Sequence, residues 1–343
     1  MVALATEQRE EYGLNHDLIR SHTRPIPGPL QNTAAGLFFM EGFIGMSIER
    51  RDNGWLKIGE LPILHMVAVQ DVVLHEKHDS VRVAGLMNRL TVEGILKNPP
   101  VVFRADEEKR QIVLDGANRI TAIQMMGISH VVVQEVDSTP EGFSLESWHH
   151  AVEHLDPDRL LGAARAATGT RGCEQTGSGK DASGRQRAGT GGPEPDAAAF
   201  TIRLSCRDGR TVDFRCSDDL CERVEQLEEF TRIYHRESLF DRVSYTDTDD
   251  LVRHYPDFTA LVTFSPFSRE ELHSLTAAGR FLPSGLTRVI LPKRAMRLNL
   301  PLEVLGDDRP LSEKETWLQE TIRDKVARKA IRFYREPTFF FDE

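Results

Sequence analysis

The ten residues 113–122, VLDGANRITA, decide how this part of the chain folds. Apolar and β-branched residues predict a strand that runs into Asp115, and the residues after Gly116 predict a short helix. A helix that begins directly after a glycine presents backbone N–H groups and the positive end of its dipole to a ligand. Arg119 adds a rigid fork of donors that matches phosphate oxygens. The stretch therefore fits two interpretations, a tight connection or a phosphate-binding turn.

The sequence on both sides extends this junction into a small α+β unit. Runs rich in valine and isoleucine predict strands at residues 65–75, 98–103, 110–115 and 130–136. Between the first two, apolar residues at i, i+3, i+4 and i+7 predict a helix that Asp79 or Ser80 caps and Gly94 ends. The short helix after Gly116 is expected to end at Gly127. The order β-α-β-β-α-β predicts the α+β class and a unit far smaller than a dinucleotide-binding domain.

Length and charge limit the possible function classes. With 343 residues the chain is long enough for two domains. Its formal net charge of -10 argues against a general nucleic-acid binder, which normally carries a basic surplus. No apolar run is long enough to cross a bilayer, and the first residues lack the features of a signal peptide, so we expect a cytoplasmic protein that does not contact a membrane.

Composition divides the chain into four expected parts. These are an N-terminal extension (1–58), a nucleotide-binding catalytic domain (59–160), a disordered glycine-rich insertion (161–199) and a smaller α/β C-terminal domain (200–343). The insertion is assigned because no valine, isoleucine, leucine, methionine or aromatic residue occurs from Gly162 to Ala199. Such a segment buries too little apolar surface to offset the entropy lost on ordering.

The C-terminal part carries three recognisable patterns. Asp208 and Gly209 predict the turn of a hairpin, and helical sequence follows at about 219–234. A final amphipathic helix is expected at about 312–333. Four basic residues would share one face of that helix: Lys325, Arg328, Lys329 and Arg332. A solvated face explains them, and a phosphate or nucleic-acid contact is the alternative.

A second polar cluster, LHEKHD at residues 74–79, lies between a strand and a helix. Glu76 between His75 and His78 fits a general base, because neighbouring side chains can tune a carboxylate. Carboxylate and imidazole are also metal ligands, so a metal site is a second interpretation, and polar loop residues are a third. Further on, Asn98 leads from a loop into a strand, where it can cap the backbone or contact a ligand.

Taken together, these motifs resemble the ParB/sulfiredoxin-like fold, and within it the free L-serine kinases, including siderophore-linked members. The likeness rests on the HE pair at a strand end, the NPPVV stretch, the DGxxR turn, and a tryptophan at 148, over roughly residues 60–155. It resumes in GLTRVILPKRAMRLNLPLEVL (285–305) and in the tail at 331–343. The DGxxR turn is common among ParB-like proteins, whereas the whole set is much more specific.

The resemblance implies a kinase without a P-loop, which transfers a phosphoryl group from ATP or ADP, with Mg²⁺, to the hydroxyl of free L-serine or a similar small hydroxy amino acid. Glu76 would be the catalytic base and Asp115 would lie at the reaction centre. The expected nucleotide contacts are Asn98, Gly116, Ala117, Asn118 and Arg119, and the expected amino-acid pocket contains Trp148, Thr287 and Arg288. No metal ligand is assigned in the chain. A siderophore or another biosynthetic pathway would consume the product.

This chain departs from some members of the family at two places. They carry histidines where Ala117 and Asn118 stand, and a histidine where Val289 stands. We therefore expect differences in nucleotide choice and in the amino-acid pocket. The alternative function is a ParB-like, nucleotide-switched DNA-binding regulator. The basic final helix favours this alternative, and the acidic net charge argues against it. A sulfiredoxin-like reductase is a weaker alternative, because the nearest cysteine to the turn, Cys173, lies in the insertion.

Overall fold

The computed structural model describes residues 61–104, 110–139, 141–170, 172–175, 199–236, 239–244, 246 and 248–334. The predicted N-terminal extension, most of the predicted insertion and the end of the C-terminal motif therefore lie outside the described residues. None of the helices in the described ranges is both long enough and apolar enough to span a bilayer. The cytoplasmic location stays a prediction.

The described strands are β1 (Ile63–Ala68), β2 (Val72–Leu74), β3 (Ile95–Leu96), β4 (Val101–Arg104), β5 (Gln111–Asp115), β6 (His130–Val136), β7 (Ser144–Ser147), β8 (His149–Glu153), β9 (Cys173–Gln175), β10 (Thr201–Cys206), β11 (Thr211–Arg215), β12 (Phe240–Val243), β13 (Phe258–Phe264), β14 (Thr287–Ile290) and β15 (Leu300–Pro301). The helices are α1 (Ser80–Glu93), α2 (Ala117–Met125), α3 (Pro157–Thr168), α4 (Leu220–His235), α5 (Thr248–His254), α6 (Arg269–Ala277), α7 (Leu302–Gly306) and α8 (Leu311–Ala327).

The first sheet has five strands in the order β1-β6-β4-β5-β2, with both parallel and antiparallel neighbours. Its strands and the helices α1 and α2 confirm the predicted α+β unit. Asp79 caps α1 by accepting hydrogen bonds from the N–H groups of Val81 and Arg82, and Gly94 ends the helix in the left-handed conformation, as expected. Local sequence therefore sets both ends of the helix that faces the predicted site.

The second sheet has six strands in the order β12-β8-β13-β10-β11-β9, all antiparallel to their neighbours. The hairpin of β10 and β11 turns at Gly209, which confirms that prediction. The predicted domain boundary at residue 160 is wrong, because β8 pairs with β12 and β13. The second unit is also not a smaller α/β domain, since its sheet is the larger of the two and is antiparallel.

The predicted disordered insertion begins too early. Residues 157–168 form α3, in which Leu160, Leu161, Ala164 and Thr168 are buried. Asp156 caps the helix and Gly169 ends it with a φ of 66°. Leu160 and Leu161 supply the large apolar contacts of this helix. Alanine has the highest helix propensity, and its small side chain allows the rest of the helix to pack closely on α4 and β11, so residues 161–168 are ordered here.

The end of the chain returns to the first unit, so residues 200–343 do not form a separate domain. The core around the first sheet includes Leu298, Leu305, Leu318 and Ile322. In addition, Glu315 on α8 accepts a hydrogen bond from the backbone N–H of Met66 on β1 at 2.6 Å. The C-terminal segments therefore cross from the second sheet back to the first.

The predicted basic face of the final helix is wrong. Helix α8 ends at Ala327, and Lys329 has a positive φ of 57°. A residue in this left-handed conformation stops the helical repeat, so Arg328, Lys329 and Arg332 do not continue the face that begins at Lys325. The one feature that favoured a DNA-binding regulator is therefore absent from the described residues.

Candidate active site

A cavity of about 980 Å³ contains nearly all of the predicted site residues. Its walls come from α1, the turn between β5 and α2, the segment after β2, and the loop before β14. The predicted residues that line it are Glu76, Asn98, Asp115, Gly116, Ala117, Asn118, Arg119, Trp148 and Thr287. Segments that lie far apart in the chain thus meet around one space.

Glu76 is fixed at the end of β2 by the loop before β14. Its Oε2 accepts the backbone N–H of Gly285 at 2.9 Å. Its Oε1 accepts both the backbone N–H of Thr287 at 2.6 Å and the Thr287 hydroxyl at 2.5 Å. Leu282 pairs with the same segment, because its N–H donates to the His75 carbonyl and its carbonyl accepts from Lys77. The carboxylate is thus held at the cavity wall by both of its oxygens.

His75 completes a chain of hydrogen bonds behind Glu76. Its Nδ1 lies against the carbonyl oxygen of Val113, which can only accept, so the ring carries a hydrogen on Nδ1. Its Nε2 lies 2.7 Å from the hydroxyl of Thr287. The single hydrogen of that hydroxyl is shared between His75 Nε2 and Glu76 Oε1.

This hydrogen-bond network contradicts the metal interpretation of the LHEKHD stretch. Both nitrogens of the His75 ring are engaged, and the described residues contain no group of three or more metal-binding side chains. The interpretation as ordinary polar loop residues also fails for Glu76, which is bound by three donors.

The turn between β5 and α2 has the form of a phosphate site. Gly116 has a φ of 105°, and a Cβ there would come within 2.9 Å of Arg119 Nε and 3.0 Å of Pro100 Cβ. Arg119 Nε is buried and has no acceptor among the described residues. Asn118 accepts the backbone N–H of Asp79 at 2.9 Å, which brings the N-termini of α1 and α2 together. Two positive helix ends therefore face the same cavity.

Asp115 is balanced by two arginines. Its Oδ2 accepts from Arg119 Nη2 at 2.8 Å and from Arg294 Nη2 at 2.5 Å. Partial desolvation raises the pKa of Asp115, but the two guanidinium groups outweigh it, and the pKa lies below its ordinary value. Asp115 is therefore an anion throughout the physiological pH range, with half of its side chain exposed.

The remaining predicted residues differ in position. Asn98 lines the cavity and accepts the backbone N–H of Arg297 at 2.8 Å. Trp148 also lines it, and its backbone N–H donates to Leu286. Arg288, in contrast, is not part of the cavity wall. Its guanidinium is paired with Glu146 at 2.8 Å and lies over the Trp148 ring, so its contact with substrate stays a prediction.

Four residues beside Glu76 and Asp115 were not assigned as site residues from the sequence. Arg242, Ser284 and Gly285 line the wall next to Glu76, and Arg294 pairs with Asp115. Arg294 lies within a basic stretch that the resemblance covers, so a signal was present. Arg242 belongs to none of the sequence motifs. Its position in the cavity wall depends on the pairing of β12 with β8, which local sequence does not reveal.

Comparisons with known proteins agree with this picture. No family model matches the chain. It is 23% identical over 290 residues to the ATP-dependent L-serine kinase SbnI of Staphylococcus aureus (strain NCTC 8325 / PS 47), covering 82% of this chain and 97% of that protein. The structure is similar to that of SbnI with a C-terminal truncation from Staphylococcus aureus, with a TM-score of 0.59, 21% identity and coverage of 76% of this chain and 96% of the other.

A second structural relative is a glutamate-to-alanine variant of a free serine kinase in complex with ADP. The TM-score is 0.54 at 16% identity, and the match covers 75% of this chain and 98% of the other. Together with the SbnI match, this confirms the resemblance to the free L-serine kinases and their ParB/sulfiredoxin-like fold.

Proposed function

We propose that this protein is a free L-serine kinase, which transfers the terminal phosphoryl group of ATP or ADP to the serine hydroxyl and forms O-phospho-L-serine. The observation that carries the proposal is that a fixed carboxylate, Glu76, and a phosphate-binding turn, residues 115–119, open into one cavity. The relatives named as serine kinases support it. The use of the product in a siderophore or another biosynthetic pathway, which the sequence resemblance implies, is part of this proposal.

The turn fits the phosphates of a nucleotide for two reasons. A Cβ at Gly116 would collide with the Arg119 guanidinium and with Pro100, so glycine at this position lets Arg119 lie against the start of the helix. The buried Nε of Arg119 has an N–H that no described residue accepts, and a phosphate oxygen would accept it. The N-termini of α1 and α2 add their positive ends.

In the proposed reaction, Glu76 accepts the proton of the serine hydroxyl while that oxygen bonds to the terminal phosphorus. The bond from this phosphorus to its bridging oxygen breaks, and the shortened nucleotide leaves with the electron pair. Positioning and charge stabilisation suffice for such a transfer. When Glu76 is protonated, its new O–H can donate to Thr287, whose hydroxyl hydrogen then turns to His75 Nε2. After the proton transfer, Glu76, Thr287 and His75 therefore still have hydrogen-bond partners.

Asp115 is the described residue that would hold Mg²⁺. Magnesium keeps several waters and binds through one or two carboxylates together with substrate phosphates, so a single carboxylate at the turn would be enough for such a site. Bound there, the ion would neutralise charge on the phosphate oxygens.

Product formation tests the proposal directly. The protein is incubated with Mg²⁺, ATP or ADP and a panel of free amino acids, and phosphoamino acids are identified by mass spectrometry. O-Phosphoserine is expected, and Arg119→Ala should mainly raise the nucleotide KM. The proposal fails if no hydroxy amino acid is phosphorylated. Salt-dependent binding of duplex DNA would instead favour the regulator.

A further inference from the structure

Arg242 is a cation of the cavity wall that the reaction described above does not use. It lies on β12, and its guanidinium packs on the backbone of Gly285, where a Cβ would come within 2.1 Å of Arg242 Nη2. Its hydrogen bond goes to the hydroxyl of Ser284, at 3.2 Å. Among the described residues, no carboxylate lies within ion-pair distance of it. Burial lowers the pKa of Arg242, and the negative charge of Glu76 opposes this.

A guanidinium in this position lacks the partner that such groups normally have. Taking a charged group out of water is costly unless it is paired and hydrogen-bonded. Glu76 does not serve as that partner, because its oxygens accept from Gly285 and Thr287. Arg242 therefore has donors that face the cavity and match the two oxygens of a carboxylate.

We propose that Arg242 and the Ser284 hydroxyl bind the α-carboxylate of the amino-acid acceptor, an inference that rests on the proposed serine kinase function. Gly285 links the two ends of this subsite, because its N–H holds Glu76 and its backbone lies under the Arg242 guanidinium. In serine the hydroxyl-bearing carbon and the carboxylate are attached to the same Cα. A single small molecule thus reaches the base with one end and the cation with the other.

The subsite explains why the acceptor would be a free amino acid. In a peptide the serine carboxylate is replaced by an amide, which offers no negative charge to Arg242. A partly buried arginine that is left without an anion makes the complex less stable than one that is paired, so amides and peptides should bind more weakly than free amino acids. The geometry therefore selects small hydroxy amino acids with a free carboxylate.

The test compares L-serine with L-serinamide, which lacks the carboxylate. For Arg242→Gln we expect the KM for L-serine to rise on the order of 10²-fold, the nucleotide KM to stay unchanged, and the preference for L-serine over L-serinamide to collapse. Arg242→Lys keeps a positive charge, so its KM for L-serine should lie between those of the wild type and Arg242→Gln. The control is Arg210→Gln, which removes an arginine at the β10–β11 turn, paired with Asp208 and Asp158.

Calorimetric binding of L-serine to the full chain separates this inference from the proposed function. If L-serine binds in a way that requires Arg242 but no phosphoserine forms, the kinase proposal is contradicted and the subsite is supported. Phosphoserine formation with an unchanged preference for L-serine in Arg242→Gln would overturn the subsite. The subsite is equally overturned if Arg288→Gln abolishes the preference and Arg242→Gln does not, or if wild-type protein binds L-serinamide as well as L-serine.

Discussion

Glu76 and Thr287 are 211 positions apart in the chain, and yet the backbone N–H and the hydroxyl of Thr287 both donate to Glu76 Oε1, at 2.6 and 2.5 Å. One residue of the strand β14 thereby orients the carboxylate that the first sheet supplies. Because His75 shares the same hydroxyl, the base, the threonine and the histidine act as one hydrogen-bonded unit.

Glu76→Gln should lower kcat for phosphoserine formation by about 10² to 10⁴-fold, because a positioned general base contributes that much. The nucleotide KM should change little, since Glu76 does not contact the phosphate turn. Steady-state kinetics with L-serine measure both values. Glu320→Gln, an exposed residue of α8, is the matched control. Full activity of Glu76→Gln would remove Glu76 from the mechanism.

Thr287→Val keeps the shape of the side chain and the backbone N–H but removes the hydroxyl. A hydrogen bond to a charged group contributes about 1.5–3 kcal/mol, so kcat should fall roughly 10 to 100-fold. Thr287→Ser restores a hydroxyl and should recover most of the activity. If Thr287→Val and Thr287→Ser have equal kcat values, the hydroxyl has no role in proton transfer.

Arg294→Gln removes one of the two cations that hold the pKa of Asp115 below its ordinary value. The pKa of Asp115 should then rise, and the acidic limb of the pH profile of kcat/KM should move to higher pH. Profiles of the wild type and the variant in the same buffers show the shift. Arg328→Gln, which removes a surface ion pair with Asp324, should leave the profile unchanged. An unshifted acidic limb in Arg294→Gln would contradict the role of this pair.

Much of the first unit could be predicted from the sequence because its signals are local. Asp79, Gly94 and Gly116 act on the backbone beside them, so caps and turns reveal the ends of α1 and the start of α2. The prediction of a disordered insertion was wrong for residues 161–168, and the reason is physical. Composition indicates how much apolar surface a segment can bury, but Leu160 and Leu161 anchor the first half of α3, and small alanines let its second half pack closely on the second sheet.

The rest of the site depends on long-range pairing that no local pattern encodes. Arg242 reaches the cavity because β12 pairs with β8, and Arg294 reaches Asp115 from 179 residues away. Thr287 was found only because the family motif includes it. A basic residue within an ordinary strand gives no sign that its side chain will face an active site.

Gly285→Ala should raise the KM for L-serine in addition to lowering the free energy of unfolding. Its φ of 82° costs a substituted residue about 1–2 kcal/mol, and the added Cβ would displace the Arg242 guanidinium. Gly209→Ala is a close control, because Gly209 has a φ of 89° but no atom within 4 Å of its Cβ position. Both variants should lose similar free energy of unfolding in urea. Only Gly285→Ala should raise the KM for L-serine, and equal kinetics in the two variants would contradict this.

His150 makes stability depend on pH through the same loop. Its Nε2–H donates to the carbonyl of Gly285, its Nδ1 accepts from the Tyr234 hydroxyl, and burial lowers its pKa to about 3. The pKa of histidine in an unfolded chain is about 6.5, so between these values the unfolded state binds the extra proton. Stability is therefore complete above about pH 6.5 and declines as the pH falls, by about 1.4 kcal/mol per pH unit.

His235 adds to this slope, because burial lowers its pKa to about 4. Urea unfolding at pH 7 and pH 5 should differ by on the order of 2 kcal/mol for each of the two histidines. His150→Gln is less stable at pH 7, since the packed ring is lost, but its stability should fall less between the two pH values. If the wild type and His150→Gln lose the same free energy of unfolding over this range, the buried ring does not link protonation to folding.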